Sequence, residues 1–371
     1  MLNVTFGRFI KSSIFIALSF LLIACGQEKT SSDPAAQTQQ SYQWKMVTSW
    51  PKNFPGLGRA PETFSEYVEK MSGGRLTVKV YGAGELVPGF EVFDAVSQGT
   101  VQMGHSGAYY WKGKAAAAQI FTTIPFGMNA QETNAWLHYG GGMELWREVY
   151  KPFGLIPFAG GNTGVQMAGW FKKEINSIED IQGLKMRIPG LGGEVFKKLG
   201  GIPVALTGGE LFTSLQSGAI DATEWVGPYN DLAFGLYKAA DYYYYSGWHE
   251  PGPVLEFIVN EDAFNALPKD LQAIVEVATR AVNQDMLDEY TARNNTAMQS
   301  LKDTHNVDMR ALPADVMKAL KLASTEVMQE QSALDATFKK VYESYSEFQN
   351  KVSQYHQISE HEYYKNRSVQ N

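Results

Sequence analysis

Gly183-Leu-Lys-Met-Arg-Ile-Pro-Gly190 alternates Leu184, Met186 and Ile188 with Lys185 and Arg187. That period of two is the pattern of a half-buried strand. Pro189 cannot donate to a ladder and Gly190 frees the backbone, so the strand ends just past Arg187. A planar, permanently charged fork therefore stands at a strand end, beside a Gly-Leu-Gly-Gly turn. A guanidinium so placed can take a carboxylate through two parallel hydrogen bonds. For a lone arginine, a surface ion pair is the default reading.

Outward from this strand the pattern predicts a helix over 194–199, a strand over 203–206, a helix over 210–217 stopped by Gly218, and a strand over 220–223. The same order occurs earlier. It runs strand 43–49, helix 60–71 closed by Gly73-Gly74, strand 76–81, helix 90–97 stopped by Gly99, and strand 101–104. The last units overlay without a gap: Phe93, Val96, Gly99, Val101 and His105 fall on Phe212, Leu215, Gly218, Ile220 and Glu224. The repeated β-α-β-α-β order predicts two similar α/β lobes built on open, mainly parallel sheets. Ligands of such sheets lie outside the carboxyl ends of the strands. Residues 104–110 and 224–229 would then form opposite walls of one cleft.

An apolar strand over 254–259 follows Glu250-Pro-Gly-Pro253, and a helix over 267–291 has Pro268 near its first turn. From 313 to 364 the chain is nearly free of Gly and Pro and forms one or two long helices. Their stripe of Val327, Leu334, Phe338, Val341, Tyr345 and Phe348 packs against the lobes, a homodimer contact being the alternative. The expected organisation is lobe I over 42–165 with part of 253–292, lobe II over 166–252 with part of 293–312, and C-terminal helices over 313–371.

The N-terminus reads as a targeting segment over 1–25. Arg8 and Lys11 precede an apolar run over 14–23 that is too short for a comfortable membrane span. It ends in Leu22-Ile23-Ala24-Cys25, which resembles the lipobox of bacterial lipoproteins, where the cysteine carries the lipid. Cys25 is the only cysteine, which excludes an intramolecular disulfide and a catalytic thiol in the lipidated chain. Residues 26–41, rich in Ser, Gln and Thr, form a flexible tether holding an exported body off the membrane. The 39 acidic residues outnumber the 32 Lys and Arg, and no basic run suggests nucleic acid.

Recognised catalytic arrangements are missing. There is no phosphate-loop Gly-x-x-x-x-Gly-Lys-[Ser/Thr], no His-Glu-x-x-His and no Gly-x-Ser-x-Gly elbow. What remains are four stretches that place ligating groups at strand ends or loops. They are Gly161-Asn-Thr-Gly-Val-Gln166, the Arg187 strand, Thr223-Glu-Trp-Val-Gly-Pro228, and Gly247-Trp-His-Glu-Pro251.

Gly183-Leu-Lys-Met-Arg-Ile-Pro and Leu-Gln-Ser-Gly-Ala-Ile-Asp-Ala-Thr-Glu resemble the DctP-like substrate-binding proteins of tripartite ATP-independent periplasmic (TRAP) transporters. The Glu224-Trp225 pair, Gly160-Gly-Asn-Thr-Gly and Trp248-His-Glu-Pro-Gly-Pro resemble the branch that binds 2-oxo and 2-hydroxy monocarboxylates. The resemblance covers about 42–255 and continues more loosely to the end. It implies a two-lobed periplasmic-binding-protein fold, a permease partner in the membrane, and no enzymatic activity. It further implies that Arg187 clamps the substrate carboxylate, with Asn162 and Tyr109 as donors to the 2-oxo or 2-hydroxy group. The implied cation, Ca²⁺ or Na⁺, touches the substrate and is held by Gln166, Glu224, the Trp225 carbonyl and Glu250. Gln166 and Trp225 thereby border both ligands, while His249 is read as a hydrogen-bonding neighbour.

Charge counting reaches the cation independently. Glu224, Glu250 and a substrate carboxylate outweigh Arg187, and buried charges must be paired or coordinated to metal. Carboxylate, amide and carbonyl oxygens are hard donors that suit Ca²⁺ or Na⁺ better than zinc. The rival from another class is a metal-assisted enzyme acting on 2-oxo acids.

Overall fold

Leu76, Val78 and Val80 are buried and Lys79 is exposed in a strand spanning Leu76–Tyr81, so the alternation read from sequence becomes a half-buried strand there. The structure, a computed structural model, describes residues 40–367. The expected leader over 1–25 with Cys25, and most of the tether over 26–41, lie outside the described residues.

Two sheets organise the rest. The first contains β1 (Tyr42–Thr48), β2 (Leu76–Tyr81), β3 (Met103–Ser106), β4 (Leu155–Asn162) and β10 (Val254–Asn260), in the order β2-β1-β3-β10-β4. The second contains β5 (Gly169–Phe171), β6 (Lys185–Arg187), β7 (Ile202–Val204), β8 (Ala222–Thr223), β9 (Tyr242–Tyr245) and β11 (Asp308–Ala311), in the order β11-β9-β5-β8-β6-β7. The repeated unit is present in both. β1 pairs in parallel with β2 and β3 around α1 (Arg59–Ser72) and α2 (Val92–Ser97). β6 pairs in parallel with β7 and β8.

Helices α3 (Ala118–Thr122), α4 (Ala130–Tyr139) and α5 (Gly142–Tyr150) precede β4. In the second lobe α6 (Gly190–Lys198) and α7 (Leu211–Ser217) join the parallel strands, and α8 (Pro228–Phe234) follows β8. The expected helix start at 194 moves back to Gly190. Extended Pro189 caps it, and the stretch expected as a turn is its first turn. Glycine is required at 190, where φ is +59° and a side-chain Cβ would press to 3.0 Å from the Tyr109 Cβ. Lobe II therefore begins a helix in direct contact with lobe I.

The chain crosses between sheets in two adjacent segments, 163–168 and 246–253. They run side by side: Gln166 N donates to the Glu250 carbonyl (3.2 Å) and Gly247 N to the Gln166 carbonyl (2.8 Å). A third crossing follows α9 (Glu261–Asn265). It is α10 (Lys269–Asp303), which packs on α1 and β4 in lobe I and on α8 in lobe II. This helix continues twelve residues beyond the expected stop at 291. Asn294, a weak helix former, is held there because its side chain accepts a hydrogen bond from Tyr229 N (3.0 Å).

The C-terminal region forms α11 (Ala314–Leu334), α12 (Ala336–Ile358) and α13 (Glu360–Arg367). α11 packs on α6, and α12 on α3, α4 and α5, so the tail covers both lobes. Val327, Phe338, Val341 and Tyr345 of the expected stripe are buried, and Tyr345 Oη accepts from Met128 N (2.6 Å). Leu334 departs from it. At the last position of α11 it is 80% exposed, because the chain turns at Asp335 to start α12. Among the described residues no helix is long and apolar enough to cross a membrane.

Candidate functional site

Arg187 ends β6 and is 2% exposed, so the default surface reading of this arginine is wrong. Its Nη1 forms an ion pair with Glu224 Oε1 and also donates to the Glu224 carbonyl (3.3 Å). Nε donates to the Leu206 carbonyl (3.2 Å) and Nη2 to Tyr110 Oη (3.1 Å). The Trp225 ring lies 4.9 Å from the guanidinium carbon, within cation–π range. Burial on its own would lower the Arg187 pKa, but Glu224 foremost among acidic neighbours raises it, so the charge is locked on.

Glu224, His249 and Glu250 each offer a ligand atom, and these atoms lie within 4.8 Å of one another, all buried. His249 Nε2 is 3.4 Å from Glu224 Oε2. Burial first, and then the Glu224 charge, push the Glu250 carboxyl well above the usual range, while Arg187 and a Gln166 hydrogen bond only partly oppose this. A carboxyl so shifted signals a shortage of positive charge at that point.

Gln166 donates its amide N–H to Thr163 Oγ1 (3.2 Å), but among the described residues its buried Oε1 has no hydrogen-bond partner; nor have His249 Nδ1 and Trp225 Nε1. Buried polar atoms are ordinarily satisfied. The cluster thus presents two carboxylates, an amide oxygen and an imidazole with spare lone pairs and one fixed cation. This donor set fits a hard cation, as the charge count anticipates.

Trp50, Tyr109, Tyr110, Thr163, Gln166, Trp225, Val226 and Glu250 line one cavity, together with Leu57 and Leu255. Tyr109 and Tyr110 come from lobe I and Trp225 and Val226 from lobe II, so the expected opposite walls do meet.

The architecture is that of a two-lobed solute-binding protein, with a charged, enclosed site beside the segments that join its lobes. The chain belongs to the DctP family (bacterial extracellular solute-binding protein, family 7), which its residues 46–335 match. It is 44% identical over 342 residues to the monocarboxylate 2-oxoacid-binding periplasmic protein of Nostoc sp. (strain PCC 7120), covering 92% of this chain and 93% of that protein. Two solved TRAP periplasmic solute-binding proteins superpose with TM-scores of 0.86. One, from Colwellia psychrerythraea, holds calcium and pyruvate and is 46% identical, over 88% of this chain and all of that one. The other, from Pseudoalteromonas atlantica, holds sodium and pyruvate and is 44% identical, over 89% of this chain and all of that one. The protein is therefore an extracytoplasmic TRAP solute-binding protein.

Of the residues singled out from sequence, the structure gathers Arg187, Tyr109, Gln166, Glu224, Trp225 and Glu250 in this cluster or on the cavity wall. Asn162 stands apart. Its Nδ2 donates to the Gly252 carbonyl (3.1 Å) and its Oδ1 accepts from Gly164 N (2.8 Å), so its amide braces the crossing segments and does not line the cavity. Tyr110, Trp50 and Thr163 are additions. Tyr110 follows Tyr109 in a 3₁₀ turn, which lets consecutive side chains share the cleft where a strand would send them to opposite faces. His249 joins the cluster through Glu224, as a neighbour was expected to.

Proposed function

We propose that the cleft binds a small 2-oxo or 2-hydroxy monocarboxylate together with Ca²⁺ or Na⁺, and that the protein hands this solute unchanged to the membrane subunits of a TRAP transporter. Pyruvate, lactate and longer 2-oxo acids are the candidate solutes. The observation that carries the reading is the enclosed group of Glu224, Glu250 and His249, with the unpartnered Gln166 oxygen, beside a buried Arg187.

Gln166, Glu224, the Trp225 carbonyl and Glu250 would hold the cation, which supplies the positive charge that lets two glutamates and a solute carboxylate share a dry site. Arg187 takes that carboxylate with the one guanidinium N–H left after Leu206, Glu224 and Tyr110. Tyr109 Oη, in the cavity wall, serves the 2-oxo or 2-hydroxy oxygen. Burial, then the Glu250 charge, keep this phenol protonated by raising its pKa well above the usual value, so it donates. Asn162 acts by shaping the 161–164 turn. Walls from both lobes touch the solute, so it favours the closed form by its differential affinity.

The pyruvate seen with calcium or sodium in two proteins 46% and 44% identical supports this reading. Cys25, outside the described residues, is the proposed lipid attachment that would tether the protein at a membrane. The C-terminal helices, packed over both lobes, leave a homodimer as a further proposal. Calorimetry with pyruvate, lactate and 2-oxobutyrate, before and after chelation, tests the proposal. Affinity should collapse without the cation, and unchanged affinity after verified metal removal would defeat it. Incubation with the same acids, followed by NMR, should show no product; turnover would favour the metal-assisted enzyme.

A further inference from the structure

Several backbone groups after β8 are engaged in hydrogen bonds. Glu224 N donates to the Arg187 carbonyl (3.2 Å), and the Glu224 carbonyl accepts from Arg187 Nη1 (3.3 Å) and Thr223 Oγ1 (3.0 Å). The Val226 carbonyl accepts from Met167 N (3.0 Å). Between them, the Trp225 carbonyl accepts no hydrogen bond from any described residue, although Trp225 is 5% exposed. A buried carbonyl left unpaired is unusual and points to a ligand outside the chain.

The N–H of the same peptide unit belongs to Val226, and it donates to Asp231 Oδ1 at a long 3.5 Å. Asp231 lies on α8 and is 0% exposed. Its Oδ2 accepts from Trp170 Nε1 (3.0 Å) and Tyr243 Oη (2.6 Å), and no lysine, arginine or histidine among the described residues pairs with it. A buried carboxylate without a counter-cation is costly, and burial raises the Asp231 pKa from 3.8 to about 7; both of its oxygens accept hydrogen bonds, which the single oxygen of an amide could not do.

We infer that Asp231 is a positioning residue for the cation: it fixes and polarises the Trp225–Val226 peptide so that the Trp225 carbonyl serves as a ligand. In a trans peptide, C=O and N–H point in opposite directions. Anchoring the Val226 N–H on Asp231 thus turns the Trp225 oxygen away from the lobe II interior. A carboxyl oxygen accepting from the N–H also draws electron density toward the carbonyl oxygen, strengthening it as a donor to a hard cation. The inference rests on the reading of the Trp225 carbonyl as a cation ligand.

The test uses Asp231→Asn, which keeps size and one acceptor but removes the charge, and Tyr243→Phe, which removes an Oδ2 partner while leaving Val226 alone. Ca²⁺ calorimetry in the presence of pyruvate should show Asp231→Asn weaker by about 10–100-fold, the range typical of outer-shell changes. Tyr243→Phe should shift the urea midpoint and leave Ca²⁺ affinity within about threefold of wild type, well short of that range. Full-chain protein labelled with ¹³C at the Trp225 carbonyl adds a direct signature, and in wild type Ca²⁺ should move that resonance. A stationary resonance overturns the inference even where Asp231→Asn does not fold. Unchanged Ca²⁺ affinity in folded Asp231→Asn also overturns it, while wild-type cation binding keeps the function reading intact. A wild type that binds pyruvate but takes up no cation sinks that reading, and this inference with it.

Discussion

Lobe I and lobe II carry the same β-α-β-α-β unit in the same sheet order, β2-β1-β3 and β7-β6-β8, and each adds one antiparallel strand, β10 or β5, at the same edge. At equivalent positions after the third strand of this unit begins, their chemistry diverges. His105 is fully buried, accepts from Trp50 Nε1 (2.8 Å) and is 2.9 Å from the Gly160 carbonyl, and burial lowers its pKa to about 4. It is a neutral strut behind Trp50. Its counterpart Glu224 meets Arg187, His249 and Glu250. Lobe I thus offers aromatic surface, from Trp50, Tyr109 and Tyr110, whereas charge is gathered in lobe II and the crossing segments that hold Gln166 and Glu250. Closing such a cleft desolvates charges on one wall only. A like set on both walls would double the desolvation cost of closure.

The largest expected effect comes from breaking the charged side. Arg187→Ala leaves Glu224 buried without its partner, which should lower folding stability by about 3–5 kcal/mol. Solute binding should weaken by about 2–5 kcal/mol, the usual cost of truncating a buried hydrogen-bonded charge pair. Urea denaturation and calorimetry read the two effects separately. Retained micromolar binding in Arg187→Ala would remove Arg187 from the site.

Exchanging the overlaid residues one at a time sharpens the comparison. Glu224→Gln should cost the cation about 2–5 kcal/mol of binding. His105→Gln should cost about 1–3 kcal/mol of stability, from disturbed buried hydrogen bonds, with solute and cation affinities kept. If His105→Gln abolished cation binding while folding normally, the division of labour between the lobes would be wrong.

Much of this division was legible in the residues. Strict alternation gave the bounds of β2 outright, and the gapless overlay of 93–105 on 212–224 became a real topological repeat. What escaped depended on contacts distant in sequence. The Gly190–Gly193 start of α6 shows no helical periodicity, and Gly190 answers to Tyr109 across the cleft. The last three turns of α10 hold because α8 packs there. Asn162 reads from sequence as a solute donor, whereas its Nδ2 donates to the Gly252 carbonyl and its Oδ1 accepts from Gly164 N. Tyr110 was missed because only a 3₁₀ turn brings it and Tyr109 to the same cleft.

Comparing Glu256→Gln with wild type across a pH scan isolates a lobe I group that lies outside the site. Glu256, in the middle of β10, accepts from Trp111 Nε1 (2.5 Å) and Tyr150 Oη (2.7 Å), and burial raises its pKa from 4.5 to about 7 against the pull of these donors. Between those two values the folded chain binds the proton more tightly than the unfolded chain. The Glu256 contribution to stability is therefore complete below about pH 4.5, falls as pH rises toward 7, and is lost above it. Glu256→Gln should flatten that part of the stability profile while the cation affinity stays put. An unchanged slope in the variant would show that Glu256 does not titrate there.

The smallest effect belongs to the hydrogen bond between Tyr110 on the neutral wall and Arg187 on the charged one. Tyr110 Oη accepts from Arg187 Nη2 at 3.1 Å, so this bond exists only when the lobes are together. Tyr110→Phe keeps the ring against Trp50 and Phe90, whose centroids lie at 6.2 and 4.9 Å, and removes the hydroxyl alone. The loss should be about 0.5–1.5 kcal/mol, the net worth of one hydrogen bond, or up to about tenfold in affinity. Because the open form never had the bond, the encounter rate should be unchanged and the whole loss should appear as faster solute release in stopped-flow traces. A slower on-rate with unaltered release would mean instead that Tyr110 helps shape the open cleft, and that lobe I does more than cover the charged wall.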